Sequence, residues 1–242
     1  MPITAPMLIL LWVLVVVIFV TPLLLRRYRR GRRASEREKL AASRGWRFAA
    51  SDETVLTRWR GDPFDRRGDK RQAFGVVRGV VSGVAFTAFD YRRRTTAMRN
   101  APDEYETVTV WAMRLPGPLP GVRMLRQRPV GGLRGKVLEK LDARVVSLPT
   151  GDEDFDRHFT VTGRQPEFVK ELFTPELIGW LREHKIQNWR IEGQDLLHYR
   201  DGQLRRTKPT ELEITAERLA ELITRFPASV WQRYGRPDVS VP

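Results

Sequence analysis

The acidic run Asp152, Glu153, Asp154 and Asp156, with His158 two residues further on, gathers the groups that divalent cations bind. Carboxylate oxygens and an imidazole together suit such ions, and a metal held there would equip a hydrolase by activating water. The spacing matches no ordered ligand pattern such as the calcium loop. The segment FDRHFTVTG reads as a strand beginning near Phe155, which puts Asp156 and His158 on one face and leaves Asp152 to Asp154 in the preceding turn. Asp156 and His158 are thus weak metal candidates. The ordinary reading is a solvated turn leading into a strand, and no metal is assigned.

Other catalytic constellations are missing. The chain has no cysteine, which excludes disulfides, thiolate metal sites and cysteine nucleophiles, and fits a reducing compartment. Neither a Gly-Lys-Ser/Thr phosphate loop nor a Gly-x-Ser-x-Gly elbow occurs. Gly131-Gly132 followed by Leu133, Arg134, Gly135 and Lys136 offers amides and cations to a phosphate, yet lacks the strand-loop-helix frame and reads as a turn. His184 ends a helix, where the dipole favours a cation, and His198 sits inside a strand beside Leu196 and Leu197. No histidine pair has the spacing of a zinc-binding helix. No cofactor is expected and the catalytic residues are unknown.

The densest chemistry is cationic. Arg26, Arg27, Arg29, Arg30, Arg32 and Arg33 surround Tyr28 directly after MLILLWVLVVVIFVTPLLL, an uncharged stretch from Met7 to Leu25. A run of this length meets the ~20 residues that a helix needs to cross a ~30 Å hydrocarbon core. A cleavable signal would have a basic leader and small residues at its end; here the cations follow the span. Because basic residues stay in the cytoplasm, the arginines predict an outside amino terminus and a cytoplasmic body. Arginine blocks bind nucleic-acid phosphates by counterion release and also anionic headgroups at ~1 kcal/mol per residue. An arm tethered to a bilayer already has lipid phosphates beside it, so the expected partner is the bilayer and nucleic acid is disfavoured. Tyr28 suits the interface depth. Removing these six from the 43 Lys+Arg leaves 37 cations against 29 acids, a mixed and solvated surface.

The expected organisation is a short outer terminus (1–6), a span (7–25), a basic juxtamembrane stalk (26–45) and a globular domain (46–242). Ser35 caps a short stalk helix that Gly45 ends. Residues 58–71 form a loop. AFGVVRGVVSGVAFTAFDY reads as two strands with a tight turn around Val81-Ser82, so that Phe86, Ala88 and Asp90 face one way and Thr87, Phe89 and Tyr91 the other. YETVTVWAMRLP is a further strand covered on both faces. LPGPLPG, residues 115–121, is extended or turning, a connector rather than a ligand for an aromatic groove. Pro166 and Pro175 start two helices, with Thr174 capping the second. NWRIEGQDLLHYRDGQL is a hairpin with turns at Gly193 to Asp195 and at Asp201-Gly202. Leu219, Leu222, Ile223 and Phe226 form a last helix behind Thr215 as cap, stopped by Pro227. Strands first, then helix, hairpin and helix point to an α+β domain on an antiparallel sheet.

The stretch DEDFDRHFTVTGRQPEFVKELFTPELIGWL with the later WRIEGQDLLHYRDG resembles the core of an uncharacterised family of bacterial membrane-anchored proteins. Phe155, Asp156, Arg157 and Phe159 occupy the family's strand, and Thr174-Pro175 and Asp201-Gly202 its later steps, over about a third of the chain. Gln165-Pro166 stands where the family more often places an acidic residue, and actinobacterial members with one leading span are more similar overall. The resemblance implies the anchor and the fold, and supplies no catalytic residues. The expected function is an interaction or scaffold module at the inner face of the membrane. The alternatives are a tethered metal-dependent hydrolase using Asp152 to His158 and a membrane-proximal nucleic-acid binder.

Overall fold

A computed structural model describes residues 34–95, 104–127, 147–201 and 207–235. Eight strands form one antiparallel sheet: β1 Arg47–Ser51, β2 Asp69–Val81, β3 Val84–Arg94, β4 Tyr105–Arg114, β5 Val122–Arg126, β6 Phe159–Gly163, β7 Trp189–Glu192 and β8 Asp195–Asp201, in spatial order β1-β2-β3-β4-β8-β7-β5-β6. The helical elements are α1 (34–43), α2 Glu153–His158, α3 Pro166–Leu172, α4 Pro175–His184, α5 Pro209–Thr224 and α6 Ala228–Tyr234, with a 3-10 turn at Glu53–Leu56. The fold is α+β, as the order of apolar segments predicts.

Alternation in β3 and β4 builds two cores. Phe86, Ala88, Trp111 and Met113 join the side chains of α2 to α6 on one face, while Phe89, Tyr91, Val108, Val110 and Ala112 pack on the other under Trp59 and Phe64 from the 57–68 loop. Both faces of the central strands are therefore dry, which is why β4 reads as nearly continuous apolar text. Trp111 also donates from Nε1 to the Leu212 carbonyl at 3.0 Å, fixing α5 over the sheet.

Several boundaries differ from those expected of the sequence. The segment from Phe155 is not a strand: Asp152 accepts from the Phe155 amide at 2.8 Å as N-cap of α2, and β6 starts only at Phe159. A cap followed by Glu153 and Asp154 in the first turn favours a helix start over the alternation expected there. The hairpin turn lies at Ser82-Gly83, one residue later than expected, with φ of 49° and 76°, and the second residue has the glycine such a turn favours. α5 begins at Pro209, six residues before Thr215, because proline suits the first helical position and the Glu211 carboxylate accepts from the Lys208 amide at 3.3 Å. Thr215 is buried inside that helix. Ser35 lies within α1 and is not its cap, whereas Gly45 does end it, with the Trp46 amide donating to the Ala41 carbonyl at 2.7 Å.

α1 is docked rather than free. Ala41 is buried, and Trp46 lies over Gly79, where an added Cβ would come within 2.2 Å of its ring. The Trp46 indole donates to the Val80 carbonyl at 3.1 Å and meets Phe86 edge-on. Among the described residues no helix is long and apolar enough to cross a membrane. The span at 7–25, Arg26 to Arg33 with Tyr28, the Gly131 to Lys136 segment and Gly202 lie outside the described residues.

Candidate functional site

The buried polar chemistry concentrates where α1, the β1–β3 end of the sheet and the start of α5 meet. Asp90 continues the inward face of Phe86 and Ala88, so alternation drives a carboxylate into the core, where it needs a partner. Arg37 supplies it: Nη2 donates to Asp90 Oδ1 at 2.9 Å and Nη1 to the Gly75 carbonyl at 3.0 Å. Gly75 lies in a bulge of β2 with φ of 59°, and an added Cβ would come within 2.8 Å of the Arg37 guanidinium. Thr109, paired with Asp90 across β3 and β4, donates to the same Oδ1 at 2.8 Å, and Thr207 donates to Thr109 at 2.9 Å. Asp90 Oδ2 receives no donor among the described residues.

This network borders a cavity of about 480 Å³, whose lining includes Ala34, Ala50, Glu53, Gln72, Phe74 and Pro209. The volume falls within the ~300–1,000 Å³ of small-molecule sites. The site combines a neutralised ion pair with both polar (Ser51, Glu53, Gln72) and apolar (Ala50, Phe74, Pro209) lining, which suits an amphipathic molecule. Residue type and spacing single out none of these positions in the sequence; the one signal they carry is a carboxylate, Asp90, on an otherwise apolar strand face.

A second cavity of about 520 Å³ is polar and lies at the end of α4, bordered by His184, Lys185, Asn188, His198, Arg200 and Arg218. Lys185 and Asn188 turn the chain there with φ of 53° and 57°. His198 sits inside β8 as expected, beside Trp111, with no partner for Nδ1. Burial, reinforced by the charge of Arg200, lowers its pKa to about 4, so it is neutral near pH 7. His184 ends α4 as expected, stacking on Trp180 at 4.3 Å with Nδ1 3.0 Å from the Trp180 carbonyl.

The acidic run is occupied otherwise than as a metal site. Asp152 caps α2 and pairs with Arg182 at 2.8 Å, and Arg182 also reaches Asp154 at 3.1 Å. Asp156 accepts from the Thr150 amide at 3.1 Å and hydroxyl at 2.9 Å, while His158 Nδ1 lies 2.8 Å from the Asp154 carbonyl. Asp156 and His158 do not share a face, because residues two apart on a helix differ by ~200° about its axis. Among the described residues no three His, Asp or Glu side chains are grouped so as to hold a metal. The proline-rich piece is a packed connector: Leu115 and Leu119 are buried, and their amides donate to Gln194 and Gly193 carbonyls at 3.0 Å each.

A third polar cluster lies on the opposite face. Asp62 pairs with Arg66 and Arg123 and accepts from the Tyr199 hydroxyl, and Glu106 pairs with Arg66 and Arg93. Burial and the Asp62 charge push the Tyr199 phenol up to about 12. At the start of β8, Asp195 accepts from Trp59 Nε1 at 2.9 Å and pairs with Arg58 at 3.1 Å. These contacts hold the 57–68 loop on the sheet.

The fold is similar to that of a mycobacterial transport factor. The crystal structure of the trehalose monomycolate transport factor A, TtfA, superposes with a TM-score of 0.52 at 16% identity, over 80% of this chain and 96% of that one. At that identity the likeness is one of fold. No protein-family model and no curated protein sequence matches the chain.

Proposed function

We propose that the chain is a single-pass, membrane-tethered scaffold on the cytoplasmic face, serving the transport of an envelope lipid. The observation that carries this reading is the fold shared with a factor named for trehalose monomycolate transport, over 96% of its crystallised chain. The sequence supports it independently. Met7 to Leu25 is long enough to span a bilayer, and the six arginines behind it bind anionic headgroups at ~1 kcal/mol each. In this reading Arg26, Arg27, Tyr28, Arg29, Arg30, Arg32 and Arg33 lie at the inner interface. The body then works by binding, with the cavities described above and its solvated surface as contact sites, and no chemical step is assigned to it.

The test is depletion of the protein in its own cell, followed by extraction of inner-membrane and outer-envelope lipids after a pulse of labelled acetate. Retention of sugar-linked acyl lipid in the inner membrane is expected, with rescue by the full chain and no rescue by a chain lacking residues 7–25. An unchanged lipid distribution would contradict the proposal.

A further inference from the structure

We propose that the cavity between α1 and the β1–β3 end of the sheet binds the sugar headgroup of a membrane amphiphile, an inference resting on the membrane tether proposed above. Its charges decide the class of ligand. Among its lining residues Arg37 and Arg92 balance Asp90 and Glu53, with Arg37 and Asp90 already paired. With equal numbers of cations and carboxylates, the lining offers neither a phosphate nor a quaternary ammonium a net attraction to offset its desolvation. A neutral polyol meets neither penalty, since each hydroxyl both donates and accepts. Asp90 is 5% exposed, and its Oδ2 has no donor among the described residues. A ligand hydroxyl donating to that oxygen gains a charge-assisted bond. Gln72 adds an amide that can donate and accept, while Phe74, Ala50 and Pro209 give apolar surface for the carbon face of a sugar and the first methylenes of its chain.

Position argues for an amphiphile over a free sugar. Ala34 lines the cavity only nine residues beyond Leu25, so even a fully extended connection of ~3.3–3.6 Å per residue keeps this point within ~30 Å of the span's end. Such a tether holds the cavity at high effective concentration relative to lipid headgroups.

The experiment uses the full chain in nanodiscs of phosphatidylglycerol and phosphatidylethanolamine, photolabelled with diazirine analogues of dodecyl maltoside or of dodecylphosphocholine, then digested and mapped by mass spectrometry. The maltoside is expected to label peptides covering residues 47–53 and 72–78 about tenfold more than the phosphocholine, the discrimination of one good hydrogen bond to a charged group. Asp90→Asn is expected to lose most of that labelling. Ala50→Trp, at an exposed position on the cavity rim, blocks the mouth without touching the ion pair and is expected to do the same. Unlabelled dodecyl maltoside competes and free maltose does not. Labelling that ignores the headgroup, survives Ala50→Trp, or is displaced equally by free maltose would overturn the proposal. Labelling of the 7–25 peptide by both probes reports the tether separately, so a failed pocket and a failed anchor are distinguishable.

Discussion

Arg37 Nη2 donates to Asp90 Oδ1 at 2.9 Å with the two side chains only 5% and 7% exposed, and this pair ties α1, the helix behind the arginine run, to the third strand. Removing one partner strands a buried charge. Asp90→Ala is expected to cost ~3–5 kcal/mol in urea denaturation, whereas the apolar double variant Arg37→Met/Asp90→Leu loses far less. Equal losses in the two proteins would show that the pair does not act as a unit.

Trp46 and Gly79 make a second fastening of α1. An alanine methyl at 79 would come within 2.2 Å of the Trp46 ring. Gly79→Ala is expected to destabilise by ~1–3 kcal/mol through overpacking, and the penalty shrinks in a Trp46→Ala background, where the obstructing ring is gone. Additive losses would mean that the methyl strains something other than this contact.

His198 gives the protein an acid-sensitive window. Its folded pKa of about 4 lies below the ordinary 6.5, so the unfolded chain takes up the proton first. Stability is fully present above pH 6.5 and falls as the pH drops toward 4, by up to about 3 kcal/mol. His198→Gln should flatten that window in urea titrations at pH 4 to 7; an unchanged slope would assign it to other groups. Asp52 acts lower: hydrogen bonds from Thr54 and from Arg78 pull its carboxyl down to about 2, so its contribution is present above pH 3.8 and is lost as the pH falls toward 2.

Asp156 has a structural task, holding Thr150 through two donors at 3.1 Å and 2.9 Å. Asp156→Ala is expected to lower stability by ~1–3 kcal/mol, the cost of unsatisfied donors, and His158→Ala to change it little. Manganese and zinc should leave the melting temperature of the native protein unmoved. A metal-dependent rise that disappears in both variants would restore the hydrolase reading.

The two-faced sheet was legible because burial forces alternation: Phe86, Ala88 and Asp90 face the helices, while Phe89 and Tyr91 face the second core. Pro166, Pro175 and Thr174 also read true, since a proline at the first turn and a hydroxyl cap are local signals. α2 was missed because Phe155, Val161 and Phe159 satisfy a strand pattern equally well, and only the cap geometry of Asp152 separates the alternatives. The short strands β1 and β5 have little pattern of their own and are fixed by partners distant in sequence, β5 lying between β6 and β7. The cavity was invisible for the same reason. Arg37 and Asp90 are 53 residues apart, and nothing local to either announces the other.

The central claim is a cytoplasmic body tethered by an amino-terminal span. It is tested most directly by fusing alkaline phosphatase or green fluorescent protein to the carboxyl terminus of the full chain in a bacterial host. Fluorescence in the membrane fraction with an inactive phosphatase is the predicted result. An active phosphatase with a dark fluorescent fusion would place the body outside and contradict both the orientation and the inner-face scaffold.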